Sequence, residues 1–276
     1  MTSTRLAVGQ MTATDDIEQN FRACERLCVQ AAKAGAATLV LPECFAFLGR
    51  GDGDLIRMMQ PLDGPLFSRF RDLAITHQLE ICFGGFPEKH TDTHAYNAHV
   101  VVGTDGVIRS VYRKIHLYDV VLPSLTLRES AATSAGSDLV IDDSAVGRLG
   151  LTVCYDLRFP ELYRALAARG AEVLLVPAAF TLTTGKEHWE VLLRARAIEN
   201  QCYVAAAAQT GRHNEKRESY GHAMIIDPWG TVVAQCRDGE GIAVCDIDRA
   251  FLESIRARVP VWQHRRPDLY GGPPKG

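Results

Sequence analysis

The sequence predicts an α/β protein in which two mixed β-sheets stack face to face, carry helices on their outer sides and are related by internal pseudo-two-fold symmetry. Three observations lead there. Short apolar runs the length of buried strands alternate with longer segments whose apolar residues recur every three or four positions. Gly35-Ala36-Ala37-Thr38-Leu39-Val40-Leu41-Pro42 has a counterpart in Gly170-Ala171-Glu172-Val173-Leu174-Leu175-Val176-Pro177, each preceded by a strand and a helix. Of the 276 residues, 47% are hydrophobic and no linker or low-complexity segment divides them, so a large core forms without a domain break.

Residues 5–11 (RLAVGQM) open the chain as a buried strand. A helix from Asp15 places Ile17, Phe21, Cys24, Cys28 and Ala31 on one face, and Gly35 ends it as a left-handed cap. Residues 37–41 form an apolar strand with Pro42 and Glu43 at its carboxyl end. A helix over 66–78 and a strand over 80–86 follow. Residues 97–102 and 107–112 flank Gly103-Thr104-Asp105-Gly106, and residues 222–226 and 231–235 flank Asp227-Pro228-Trp229-Gly230, so both pairs read as antiparallel hairpins. Between them the opening pattern returns: strand 149–153, helix 160–169 with Pro160 in its first turn, Gly170 as its stop, strand 172–176. The plainer alternative is that Gly-Ala before an apolar strand is ordinary punctuation of α/β units. The expected organisation is one domain over residues 1–276, with the Pro-, Arg- and Gly-rich residues 262–276 as an extended C-terminal tail.

Composition excludes several function classes. A net charge of −3, spread over both signs, gives no electrostatic reason to expect nucleic acid or an acidic membrane as partner. Residues 1–10 lack a signal-peptide pattern, and the longest apolar runs (173–180 and 203–208) fall far short of the ~18–20 residues a membrane helix needs. Most of the eight cysteines lie inside apolar runs, where the residue acts as a small buried hydrophobe. A reducing, cytoplasmic setting without disulfides is expected. Cys24 and Cys28 share a helix face with Ile17 and Phe21, which reads as core packing rather than metal ligation, and the histidines form no compact ligand set. Gly49–Gly53 lacks the lysine of a phosphate-binding loop and reads as a turn or lid.

Chemistry concentrates at strand ends. Cys154 stands where a buried strand stops ahead of the helix at Pro160, the edge at which α/β proteins place their sites. N–H groups and partial positive charge there favour a thiolate and suit an oxyanion. Its polar neighbours Tyr155, Asp156 and Arg158 separate it from a core cysteine. Glu43, at the corresponding edge of the other half, reads as a carboxyl raised by an apolar crevice and suited to proton exchange near neutrality; read alone it is equally a surface acid. Lys114 follows a strand, and its interest depends on the other two, because a thiol attacking a carbonyl needs a cation near the developing oxyanion.

Leu41-Pro42-Glu43, Tyr112-Arg113-Lys114-Ile115-His116-Leu117 and Cys154-Tyr155-Asp156-Leu157-Arg158-Phe159-Pro160-Glu161-Leu162 together resemble the nitrilase, or carbon–nitrogen hydrolase, superfamily over essentially the whole chain. The resemblance implies a four-layer α-β-β-α sandwich, a Glu–Lys–Cys triad of Glu43, Lys114 and Cys154, a homodimer, and no cofactor or metal. Glu129 matches the second glutamate that many members carry and would orient Lys114; residues 121–125 before it depart from the usual Gly-containing loop. Residues 188–199, 211–217, 219–222 and 263–271 are similar to the branch containing deaminated-glutathione and omega-amidases. That branch implies a small 2-oxo-acid amide as substrate and hydrolysis through a Cys154 thioester. A catalytically silent binding protein on the same fold would lack one of the three triad residues. The substrate-contacting side chains expected are Tyr155, Arg158, Phe180, His188 and Arg212. Arg194, Lys216 and Arg217 are further cations for an anionic substrate, although Arg212–Arg217, with Glu215 and Glu218, reads equally as a solvated charged loop.

Overall fold

The computed structural model describes residues 4–122 and 125–270. In the first half, β1 (Arg5–Met11), α1 (Ile17–Lys33), β2 (Thr38–Leu41), α2 (Asp52–Met58), α3 (Pro65–His77), β3 (Glu80–Lys89), β4 (Ala95–Val102) and β5 (Ile108–Arg113) follow in order. A small hairpin, β6 (Asp119–Leu122) and β7 (Leu125–Arg128), and the short β8 (Thr133–Ser134) lead across to the second half. There β9 (Ile141–Ser144), β10 (Gly147–Leu151), α4 (Pro160–Ala168), β11 (Val173–Leu175), α5 (Leu182–Asn200) and β12 (Tyr203–Ala206) are followed by β13 (Ala208–Arg212), β14 (Glu218–Tyr220), β15 (Met224–Ile226), β16 (Val232–Gln235) and β17 (Gly241–Asp246). The helices α6 (Arg249–Arg258), α7 (Val261–His264) and α8 (Pro267–Tyr270) close the described chain.

The pairing confirms the repeat. In the first sheet β17 runs antiparallel to β1, then β1, β2 and β3 are mutually parallel, and β4 and β5 return antiparallel. In the second, β9 runs antiparallel to β10, then β10, β11 and β12 are parallel, and β15 and β16 return antiparallel. The same six-strand order, with helices at the same crossovers, therefore occurs twice. The chain passes between sheets at Ala207, where β12 of the second sheet continues into β13, which pairs with β1 of the first.

Alternation along the strands stacks the layers. Leu6, Val8, Val40, Cys82 and Val101 face the second sheet and share a core with Leu149, Leu151 and Leu175. Their neighbours Ala7, Leu39, Leu41, Ile81 and Phe83 face outward onto Cys24, Leu27 and Cys28 of α1 and Phe67 and Phe70 of α3. On the far side α4 and α5 cover the second sheet through Leu162, Leu166, Trp189 and Leu193. The result is the four-layer α-β-β-α sandwich.

Local chemistry explains the boundaries. Asp16 caps α1 by accepting from the Gln19 N–H at 3.0 Å, so the helix begins two residues after Asp15. Pro65 and Pro160 occupy first-turn positions, where the missing N–H costs nothing. The segment expected as a turn or lid becomes the approach to α2, whose backbone starts from Gly51. His188 lies two turns inside α5 rather than at a helix start. Where an extended tail was expected, residues 261–270 form two single-turn helices; residues 271–276 of that tail, residues 1–3 and Pro123-Ser124 of the divergent loop lie outside the described residues. All eight cysteines are free thiols, and no helix among the described residues is long and apolar enough to cross a membrane.

Candidate active site

The parallel strands of the two sheets deliver their carboxyl ends to a common cavity of about 610 Å³, lined by Glu43, Lys114, Glu129 and Cys154 among others. Each residue arrives by a different device. Glu43 follows β2, and Gln209 of β13 fixes its backbone, donating through Nε2 to the Glu43 carbonyl at 2.9 Å. Gly85 lies beside it with φ +70°, and a Cβ there would stand 2.8 Å from both Glu43 Cγ and Asn97 Oδ1, so only glycine lets β3 pass this close. Lys114 follows β5 and is 2% exposed. Cys154 opens a single turn of 3₁₀ helix (Cys154–Arg158) with φ 48°, a left-handed backbone rare for a non-glycine residue.

Asp156 ties this turn to the lysine segment. Its fully buried carboxylate accepts from Val153 N–H at 2.8 Å, Tyr112 Oη at 2.7 Å, and His116 N–H at 3.1 Å and Nδ1 at 2.7 Å. From α5, Arg196 donates through Nη2 and Nε to the Leu157 carbonyl at 2.7 and 3.1 Å. The Cys154 turn is thus held at both ends.

Around Glu43 the charges interlock. Lys114 Nζ donates to Glu43 Oε1 at 3.1 Å and to Glu129 Oε2 and Oε1 at 2.8 and 3.0 Å. Asn97 Nδ2 bridges the same two carboxylates at 2.9 and 3.1 Å. Ala179 N–H donates to Glu43 Oε2 at 2.9 Å, and Tyr118 N–H to Glu129 Oε2 at 2.7 Å. The N–H of Cys154 is spent on the Pro177 carbonyl at 2.9 Å and that of Asp156 on Val153 at 3.0 Å. Between them the Tyr155 N–H has no acceptor among the described residues.

Two electrostatic expectations are corrected. Burial would raise the Glu43 carboxyl, but the Lys114 charge and hydrogen bonds from Cys154, Lys114 and Asn97 bring it below the ordinary value of 4.5. Burial, with the Glu43 charge added, pushes the Cys154 thiol well above 9.0 despite the opposing Lys114 charge and Ala179 N–H. Lys114, which burial alone would lower, is instead held well above 10.5 by Glu129 and Glu43. The resting site therefore holds a carboxylate, an ammonium and a neutral thiol. The thiolate expected from the position of the turn is outweighed by the carboxylate facing it.

Tyr155, Arg158 and Phe180 line the cavity, with the Arg158 guanidinium 5.6 Å from the Phe180 ring centroid. His188 does not line it; its Nδ1 accepts from Arg158 at 3.2 Å. Arg212 is also outside, exposed and turned onto the Asn214 carbonyl at 3.3 Å, whereas Lys216 and Arg217 of the same loop reach the wall. Alternation is consistent with this, because Arg212, the last residue of β13, shares a face with Thr210, which does not line the cavity either. Arg194 lies elsewhere, donating to Gly230. Sequence reasoning passed over Asn97 and the anchoring role of Asp156; the one available signal was an uncompensated amide and carboxylate inside otherwise apolar strand-end segments. Among the described residues no group of three or more His, Cys, Asp or Glu side chains is placed to hold a metal ion.

The carbon–nitrogen hydrolase profile matches residues 5–257, and the chain belongs to that family, within the nitrilase superfamily, whose members are hydrolases acting on carbon–nitrogen bonds. The deaminated glutathione amidase of Bos taurus is 49% identical over 272 residues, covering 96% of this chain and 83% of the relative. The crystal structure of the C. elegans NitFhit protein superposes with a TM-score of 0.91 at 44% identity, covering 98% of this chain and 67% of that one. Saccharomyces cerevisiae Nit3, a member of branch 10 of the superfamily, superposes with a TM-score of 0.81 at 30% identity, over 93% and 94% of the two chains.

Proposed function

We propose that the chain is a thiol amidase that converts deaminated glutathione to 2-oxoglutarate and cysteinylglycine through a thioester on Cys154. The observation that carries this reading is the ionised Glu43, bonded to Lys114 and facing the neutral Cys154 thiol inside one cavity. The activity named for the Bos taurus relative supports the substrate.

In the proposed reaction Glu43 accepts the thiol proton as sulfur forms its bond to the amide carbon. The negative charge moved onto the carbonyl oxygen meets Lys114 and the free N–H of Tyr155. Glu43 then passes the proton to the amide nitrogen, the C–N bond breaks and cysteinylglycine leaves. Water, deprotonated by Glu43, attacks the thioester; the C–S bond breaks and the proton returns to sulfur. Glu129 does not touch the reacting atoms in this scheme and holds Lys114 in place. Arg158, half-buried beside Phe180, receives the 2-oxo-acid carboxylate.

Within the same proposal the enzyme is cytosolic, consistent with eight free thiols, and works as a homodimer, which sedimentation at micromolar concentration checks directly. Rapid quench followed by denaturing mass spectrometry is expected to find a 2-oxoglutaryl adduct on Cys154. Turnover of deaminated glutathione is expected to exceed that of 2-oxoglutaramate; the reverse preference would assign the chain to omega-amidase chemistry instead.

A further inference from the structure

The cavity has a second cationic wall, away from Arg158. The loop between β13 and β14 turns tightly: Asn214 Oδ1 accepts from Lys216 N–H at 2.9 Å and Arg217 N–H at 3.1 Å, and the Arg217 carbonyl accepts from His213 N–H at 3.0 Å. Below the turn, His213 is buried, its ring bonded to the Ala13 carbonyl and to Ser219 Oγ, both at 2.8 Å. Asn214 Nδ2 donates to the Gly49 carbonyl at 3.4 Å, joining the loop to the approach of α2. The backbone of Arg217 is therefore set before any ligand arrives.

Its side chain is half-buried on the cavity wall. Among the described residues no carboxylate or carbonyl accepts from the guanidinium. Other cations at the wall are differently placed: Arg158 donates to His188, Arg50 pairs with Asp15 at 3.4 Å, and Arg128 and Lys216 are exposed. The two arginines reach the wall from different elements, Arg217 from the loop between β13 and β14 and Arg158 from the turn that Cys154 opens. A half-buried guanidinium without a partner is costly to leave empty and suits a planar carboxylate, which it binds through two parallel hydrogen bonds.

We propose that Arg217 is a specificity-determining residue that binds the terminal carboxylate of the leaving group, so that the site selects amides whose amine half is a short peptide with a free C-terminus. This rests on the reading above, in which the acyl half lies toward Arg158. Beyond the scissile nitrogen, a dipeptide leaving group extends about 7 Å, and Arg217 and Cys154 line the same cavity. Exposed Glu218 on the same wall repels a carboxylate placed elsewhere and sharpens the selection.

The test uses three amides with one acyl group: deaminated glutathione, the same molecule with its glycine carboxylate converted to a carboxamide, and 2-oxoglutaramate. For the wild type, kcat/KM is expected to favour the free carboxylate over the carboxamide by about 10–100-fold. In Arg217→Gln that ratio collapses toward one, chiefly through KM, and Arg217→Lys recovers part of it. Equal loss on all three substrates would reduce Arg217 to a structural role and overturn the proposal, as would a wild type indifferent to the carboxylate. A wild type inactive on all three would overturn the parent reading and this one with it, an outcome distinct from the other two.

Discussion

Two cysteines line the cavity, each placed where a strand gives way to a turn and each with a left-handed backbone, φ 60° at Cys44 and 48° at Cys154. Burial pushes both thiols up, and the Glu43 charge pushes both further. What separates them is contact. Glu43 acts on the Cys154 thiol through a hydrogen bond as well as its charge, and on Cys44 through its charge alone, while the N–H of each cysteine is engaged alike, with the Pro177 and Gly85 carbonyls at 2.9 and 3.2 Å. A strained turn and a nearby charge are common to both, so neither makes a nucleophile. The difference is a proton acceptor within reach of Cys154.

The sharpest way to break this comparison is to remove each sulfur. Cys154→Ala is expected to lower kcat/KM by about 10⁴-fold or more, the scale seen when a covalent nucleophile is lost. Cys44→Ala, which keeps the same backbone demand, is expected to stay within about twofold, since no step uses it. Steady-state kinetics on the 2-oxo-acid amide reads both. A large loss at Cys44 would mean that the turn geometry, and not the carboxylate contact, selects the nucleophile.

The next effect concerns the cation that separates two carboxylates. Lys114→Met leaves Glu43 and Glu129 facing one another with no compensating charge. Breaking a buried pair in this way costs about 3–5 kcal/mol of stability, and loss of the oxyanion donor costs about 10²–10³-fold in kcat. Urea unfolding at pH 7 and at pH 5 checks the electrostatic origin. The destabilisation should shrink at the lower pH, because a carboxyl freed from its ammonium partner protonates more readily. An equal loss at both pH values would point to packing.

How much of this was legible in the sequence follows from how each contact is made. Glu43 and Cys154 announce themselves because a polar residue directly after an apolar strand has few structural reasons to be there. The repeated Gly-Ala-strand-Pro segment carried the symmetry, and the structure shows it as six strands paired in the same order twice. The rest depended on distance. Asn97 sits in the middle of an ordinary strand, and its amide matters only because β4 lies beside two carboxylates contributed from 54 and 32 residues away. The protonation states also escaped local reading: burial alone predicts a raised Glu43, and the ammonium folded in from residue 114, with hydrogen bonds from Cys154 and Asn97, reverses the sign. Arg212 and Arg217 are indistinguishable as members of a charged loop until the turn at Asn214 decides which of them faces the cavity.

Asn97 gives the smallest and most discriminating effect. Its hydrogen bond is one of the interactions that lower the Glu43 carboxyl, so Asn97→Ala should raise that group back toward its ordinary value. A base must be ionised to act, and activity is therefore present above the Glu43 value and lost as pH falls through it. The acid limb of the kcat/KM profile should accordingly move to higher pH in the variant, with about a tenfold loss at pH 7 from poorer alignment of Glu43 and Lys114. Asn97→Asp, which sets a third carboxylate against the pair, should move the limb further in the same direction. Stability follows the same sign: the lowered Glu43 stabilises the fold fully above pH 4.5 and ceases to do so as pH drops through its folded value, so the variant should lose part of its neutral-pH advantage over acid. A uniform fall in rate with the limb unmoved would show that Asn97 only fills space and that the other partners of Glu43, Lys114 first, hold its carboxyl down.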